Sequence, residues 1–98
     1  MAKYLLSNSS VEDLDSIWNY TYETWSEQQA DLYYANLIST FEAIANSPCK
    51  LDKYYPEIKV GLYARKCGKH LVFYKQINKD QVLILRILHE RMDIRSKF

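Results

Sequence analysis

The spacing of apolar residues changes twice along the chain, and each change marks a new kind of element. Tyr4, Leu5 and Leu6 form a brief apolar run that reads as a short first strand, Tyr4 to Ser7. Val11, Leu14, Trp18, Thr21, Tyr22 and Trp25 then recur at helical spacing and define one stripe. Ser9 and Ser10 stand just before it, with Glu12 and Asp13 three residues on. That order is a capping box, and its early acids suit the positive end of the helix dipole. A first helix is therefore predicted over Val11 to Trp25. Ser26 followed by Gln29 repeats the capping pattern. Ala30, Tyr33, Leu37, Phe41 and Ile44 carry the period on, and Tyr34 and Ala45 widen the stripe. The second helix ends near Asn46, because the residue before Pro48 is pushed out of helical conformations. Two capped helices with almost no linker make a helical hairpin. Trp18, Tyr22, Trp25, Tyr33 and Phe41 sit at core spacing and are placed in the core.

After the hairpin, Cys49 to Glu57 reads as a connector with paired tyrosines and Pro56. The period then drops to two. Ile58, Val60, Leu62 and Ala64 alternate with Lys59, Gly61, Tyr63 and Arg65, the signature of a strand with one buried face. Cys67–Gly68–Lys69 is a turn, His70 to Ile77 the next strand, and Asn78–Lys79–Asp80 the next turn. Val82 to His89 is almost continuously apolar, so it is predicted to be a central strand covered on both faces for part of its length. The order is strand, helix, helix, strand, strand, strand. The simplest assembly is an α+β fold: a four-stranded antiparallel sheet with the helical hairpin packed across one face. At 98 residues the chain is read as one domain, residues 1–98.

Charge divides this fold. From Lys59 to the end, ten Lys/Arg stand against three Asp/Glu, a net of +7; from Met1 to Ile58, three stand against nine, a net of −6. The overall +1 hides that asymmetry. A basic sheet beside an acidic helical half calls for an acidic or polyanionic partner, with the far face or rim of the sheet displaying the cations. No apolar run approaches a membrane span, and MAKYLLSNSS is too weakly apolar for a signal peptide, so a cytoplasmic location is expected. Cys49 and Cys67 form no CxxC pair, and with His70 and His89 they make a poor zinc set. No metal or other cofactor is expected.

Several blocks together resemble the ParE toxins, within the ParE/RelE superfamily of bacterial toxin–antitoxin modules. The run Ser10 to Tyr20 resembles the family's first-helix pattern. Trp25, Gln29–Ala30, Tyr33, Leu37, Phe41, Ile44–Ala45 and Pro48 fall at its second-helix positions. Gly61–Leu62, His70, Val72–Phe73–Tyr74 and the closing Arg86–Ile87–Leu88–His89 with Arg91–Met92–Asp93 resemble its strand signatures. The likeness spans nearly the whole chain. It departs at Tyr63 and Lys75, where the family often has arginine, and at Cys49–Lys50–Leu51, which lacks the glycine common after the proline. Lys75 keeps the charge without the planar fork of arginine.

The resemblance implies a RelE/ParE-like fold and a toxin neutralised by a ParD-like antitoxin whose C-terminal segment wraps the hairpin and the sheet. It implies two targets: DNA gyrase, bound by direct protein contact without enzymatic chemistry, or, in the RelE manner, messenger RNA cut on the ribosome. Cleavage through a 2′-hydroxyl needs a base, an acid and cations on the scissile phosphate; the candidates are Arg65, Lys75, Arg86, His89 and Arg91. RelE-like enzymes typically add a tyrosine or histidine near the C-terminus, and Asp93 to Phe98 has neither. His89 shares an apolar face with Leu83, Leu85 and Ile87, as a structural histidine would. Arg86 interrupts an apolar strand and must be paired, either with a helix carboxylate, with an antitoxin acid or with the target. Arg65, Lys66 and Lys69 at a strand end are a solvated turn or a docking patch. Tyr63, Arg65, Lys75, Arg86, Arg91, Arg95, Tyr20 and Tyr34 are the expected contacts to target or antitoxin. Gyrase inhibition is the favoured reading, and a module that only binds its antitoxin is a third.

Overall fold

The computed structural model describes residues 3–49 and 51–98. Met1 and Ala2 of the N-terminal stretch, and Lys50 of the expected connector, lie outside them. The elements are β1 (Lys3–Leu6), α1 (Asn8–Thr24), α2 (Glu27–Asn46), β2 (Lys53–Tyr54), β3 (Leu62–Cys67), β4 (His70–Asn78), β5 (Gln81–His89) and a final 3₁₀ turn, Arg95–Lys97.

Both helices begin on a serine, but the first begins earlier than the pattern predicts. Ser7, not Ser9 or Ser10, is the N-cap: its Oγ accepts from the Ser10 N–H at 3.0 Å, and Ser10 Oγ donates back to the Ser7 carbonyl at 2.8 Å. Ser7 wins because its hydroxyl also donates to the Leu85 carbonyl at 2.8 Å, a tie to the sheet invisible in local sequence. The second helix starts as predicted. Ser26 Oγ accepts from the Gln29 N–H at 3.1 Å, and the helix stops at Asn46 ahead of Pro48.

The sheet is five-stranded and mixed, in the order β1-β5-β4-β3-β2, which corrects the four-stranded antiparallel expectation. β1 lies parallel to β5, Lys3 opposite Gln81 through Leu6 opposite Ile84. A strand as apolar as β5 needs a neighbour on each edge; β4 supplies one and the chain's first strand the other. The fifth strand hides in the connector, where Lys53 and Tyr54 pair with Ala64 and Tyr63. Two residues followed by Pro56 carry no period to read. The alternation from Ile58 to Gly61 is also not a strand. Ile58 and Lys59 donate to the Tyr55 carbonyl, Leu62 donates to the Lys59 carbonyl, and Gly61 takes φ +84°. Val60 consequently points outward.

Two apolar clusters sandwich the sheet. On the helical side Leu14, Leu37, Phe41 and Ile44 meet Val72, Tyr74, Val82, Ile84 and Ile87. On the other side Tyr55, Leu62, Ala64, Phe73 and Leu88 cluster, with Ile58, Leu71, Leu85 and Ile94 packed against them. Phe98 closes edge-on over Phe73, ring centroids 5.3 Å apart. The far face is thus largely an apolar layer rather than the cationic display predicted, because the 55–61 turn and the C-terminal residues fold onto it. Ile84 and Ile87 are three apart yet reach the same cluster. A register shift lets them: Tyr74 pairs with Ile84 but Phe73 with Arg86, leaving Leu85 as a bulge. Of the aromatic residues placed in the core, Phe41 is fully buried, Tyr33 and Trp18 are half-buried, and Tyr22 and Trp25 are exposed. Trp18 stacks on Tyr22 at 5.2 Å and donates Nε1–H to Asp31 at 3.0 Å, while Leu14 and Ile17 face the sheet.

Ser7→Ala removes a helix cap and a helix-to-sheet tie together, whereas Ser26→Ala removes only an exposed cap. Ser7→Ala should cost about 1–2 kcal/mol and Ser26→Ala about half that. Urea denaturation of both variants at unchanged m-value checks the difference; equal losses would show that the Ser7–Leu85 bond adds nothing.

Candidate binding groove

Two strand arginines that could have faced a ligand are spent inside the fold. Arg86 holds Asp13 of α1 in a fork, Nε to Oδ2 at 2.8 Å and Nη2 to Oδ1 at 2.9 Å. Asp13 Oδ2 also accepts the Ile87 N–H at 2.9 Å, and Arg86 Nη1 donates to the Lys97 carbonyl at 3.2 Å. Arg65 forks onto Asp52, at 2.6 and 3.0 Å, and its Nη2 donates to the Ser47 carbonyl at 2.8 Å. The Asp52 side chain is only 2% exposed. Tyr74 donates its hydroxyl to the same carboxylate and accepts the Cys49 N–H at 2.6 Å. The hydrogen bond to Asp52 raises the Arg65 pKa, and burial followed by that carboxylate pushes the Tyr74 hydroxyl far up. Cys49, whose N–H joins this network, sits at φ +69°. Lys66 pairs with Glu90 at 3.1 Å.

The other predicted contacts scatter. Tyr63 is stacked between Tyr54 at 4.7 Å and Tyr74 at 6.0 Å. Lys75 lies beside Gly61 on the exposed part of β4. Arg95 is in the 3₁₀ turn, and Tyr34 lines a shallow acidic dent with Asp15 and Asp31 on the hairpin. Tyr20, His89 and Arg91 do come together. They line one open groove of about 910 Å³ between the turn end of the hairpin, the start of β4 and the end of β5.

α1 gives the groove Ile17, Tyr20 and Trp25, and α2 gives it Gln29 and Tyr33. The β3–β4 turn gives Gly68 and Lys69, the start of β4 gives His70, and the end of β5 with the turn after it gives His89, Arg91 and Met92. Among the described residues none of the lining positions is Asp or Glu, while Lys69 and Arg91 are both cationic. Three large side chains stand out around it, Trp25 at 74% exposure, Tyr20 at 68% and Met92 at 46%. Tyr20, near the end of α1, and Trp25, its C-cap, are exposed because they stand past the point where that helix lies on the sheet.

The groove carries a polar relay. Tyr33 Oη lies 3.0 Å from the Cys67 carbonyl and 2.6 Å from His70 Nδ1, and accepts the Lys69 N–H at 3.3 Å. One hydroxyl proton satisfies all three contacts if Tyr33 donates to Cys67 and accepts from His70 Nδ1–H. His89 packs edge-on against His70 at 5.3 Å, and its Nδ1 accepts the Arg91 N–H at 3.1 Å. Gly68 makes room: a Cβ there would lie 2.7 Å from Tyr33 Oη, on a backbone already at φ +59°. Burial, then the neighbouring His89, lower the His70 pKa; Asp13 and Glu90 partly oppose this. Burial raises the Tyr33 hydroxyl.

His70, Tyr33, Trp25 and Met92 were missed as site residues. A signal for the histidines was present. Counting outward from a two-residue Lys79–Asp80 turn pairs residue 70 with residue 89, and the two register shifts in this hairpin cancel, so the pairing holds. The position of Trp25 had no such signal, since its spacing is that of a core residue.

Because His70 is held neutral, its contribution to stability is complete above the unfolded histidine value of about 6.5 and declines as pH falls through and below it. Chemical denaturation at pH 7.5, 6.5 and 5.5 should show wild type losing stability relative to His70→Asn, whose amide can still donate to Tyr33. Parallel losses would show that His70 is not the titrating group.

Residues 4–94 match the family model described as the ParE toxin of the type II toxin–antitoxin system parDE. The chain is 36% identical over 98 residues to Toxin ParE1 of Caulobacter vibrioides, covering 98% of this chain and 97% of that one. In three dimensions it is similar to the chromosomal ParDE system of P. aeruginosa, with TM-score 0.73, 13% identity and 91% and 96% of the two chains covered. It is also similar to the RelBE2 toxin–antitoxin complex of Mycobacterium tuberculosis, with TM-score 0.67, 14% identity and 90% and 96% covered. At those identities the structural likeness speaks for the fold alone, whereas the family match and the Caulobacter relative run nearly end to end. By that match this chain belongs to the ParE toxin family of type II toxin–antitoxin systems.

Proposed function

We propose that a ParD-like antitoxin neutralises this toxin by seating an acidic amphipathic helix in the groove, and that the free toxin inhibits DNA gyrase by direct protein contact. The observation that carries the antitoxin reading is the groove itself: exposed Tyr20, Trp25 and Met92 beside Lys69 and Arg91, with no carboxylate among its described lining residues. Such a surface fits helix-in-groove recognition, with apolar anchors set by shape and acidic residues set by charge. Aromatic anchors of this kind hold most of the energy of an interface.

The gyrase reading draws its support from what the strand arginines do. A ribonuclease must keep cations free to take up charge on the scissile phosphate. Arg65 and Arg86 are instead each forked onto a carboxylate of another element. Lys75 lies outside the groove that holds His89 and Arg91. The second reading, a ribosome-dependent messenger RNA endonuclease of the RelE type, keeps one favourable observation: Tyr33, His70, His89, Lys69 and Arg91 share a single groove.

Purified toxin should abolish DNA supercoiling by gyrase, and transcripts from induced cells should stay intact in primer-extension mapping. Unchanged supercoiling at saturating toxin together with codon-linked cuts would transfer the function to the second reading. Trp25→Ala should weaken antitoxin binding by about thirtyfold, corresponding to about 2 kcal/mol for an aromatic anchor. Calorimetric titration checks this, and an unchanged affinity would place the antitoxin elsewhere.

A further inference from the structure

The groove holds two imidazoles whose bonding leaves them unequal. His89 Nδ1 accepts the Arg91 N–H at 3.1 Å, so that lone pair is already engaged within the turn that follows β5. His70 uses Nδ1 on Tyr33 at 2.6 Å, and no hydrogen bond to Nε2 is present among the described residues. No buried side-chain nitrogen or oxygen among the described residues lacks a partner, so that nitrogen is open to the groove. His70 therefore offers one free, protonatable atom to whatever occupies the groove.

We propose that His70 couples antitoxin binding to proton uptake: a carboxylate of the seated acidic helix reaches His70, and its Nε2 takes a proton from solvent as the complex forms. The inference rests on the groove being the antitoxin's seat. Charge around His70 fits an acidic occupant. Lys69 precedes it in the turn, His89 at the end of β5 packs against it, Arg91 follows in the next turn, and Tyr33 of α2 bonds its Nδ1. The acids near it are tied down, Asp13 of α1 on Arg86 and Glu90 on Lys66, and Cys67 contributes only its carbonyl, to Tyr33. In the free toxin burial, and after it the neighbouring His89, lower the His70 pKa and favour the neutral ring. A carboxylate close by reverses that balance, because an opposite charge within about 4–6 Å favours the charged imidazole. Binding and protonation are then linked, and each favours the other.

The test is calorimetric titration of the toxin with its purified antitoxin between pH 8 and pH 6, in buffers of different ionisation enthalpy, for wild type, His70→Asn and Trp25→Ala. Wild type should bind on the order of three- to tenfold tighter at pH 6, with net proton uptake. His70→Asn should lose both the pH slope and the uptake, whatever its affinity at pH 8. In the complex the His70 ring resonance should titrate at higher pH than in the free toxin. A flat profile, proton release, or a slope that survives in His70→Asn would overturn the proposal even where Trp25→Ala abolishes binding. Binding untouched by Trp25→Ala would instead overturn the groove as the seat, and the proposal with it.

Discussion

The carboxylate of Asp13 is where helix and sheet are locked together. β1 ends at Leu6, opposite Ile84, and leaves the second half of β5 without a strand on that edge. An open edge on so apolar a strand is both a desolvation problem and an invitation to aggregate. The chain closes it with side chains. Ser7 donates to the Leu85 carbonyl, and Asp13 takes the Ile87 N–H while accepting the fork of Arg86. That fixes α1 over β5, leaves its last turns projecting past the sheet, and so creates the groove between Trp25 and His89.

The same arrangement redistributes the charge of the sequence. The excess of cations after Lys59 is real, but Arg86, Arg65 and Lys66 are paired with Asp13, Asp52 and Glu90. Two of these acids come from before Lys59, so the division between acidic and basic halves is partly consumed in holding them together. Of the cations outside these pairs, Lys69 and Arg91 are the two that line the groove, with aromatic residues beside them. The recognition proposed at the groove draws on shape and a few placed charges rather than on a broad positive field.

Much of the fold was legible because local chemistry and global packing agree there. The Ser26–Gln29 cap, the stop before Pro48 and the apolar run of β5 each have one reading, and the structure keeps it. Legibility failed where a distant contact overrides a local pattern. Ser7 takes the cap because Leu85 needs a donor, Ile58 to Gly61 turn because the Tyr55 carbonyl accepts the Ile58 and Lys59 N–H groups, and β2 exists because β3 offers it an edge. Trp25 keeps core spacing while standing in solvent, which only the end of the sheet decides. For the candidate site, Tyr20, His89 and Arg91 were found by residue type, and the Arg86 ion pair was one of the readings its burial allowed. The His70–His89 pairing was written in the hairpin's count and needed the turn length to extract.

The most direct measurement of the Asp13 lock is a double-mutant cycle on Asp13→Asn and Arg86→Met, read by urea denaturation alongside growth arrest on induction. Each single change should cost about 2–3 kcal/mol, because each strands a half-buried partner, and the double mutant should recover part of that loss. Toxicity should fall only as far as the folded fraction does. Additive, small losses in stability with toxicity abolished by Arg86→Met alone would contradict the lock and return Arg86 to the target-contacting surface.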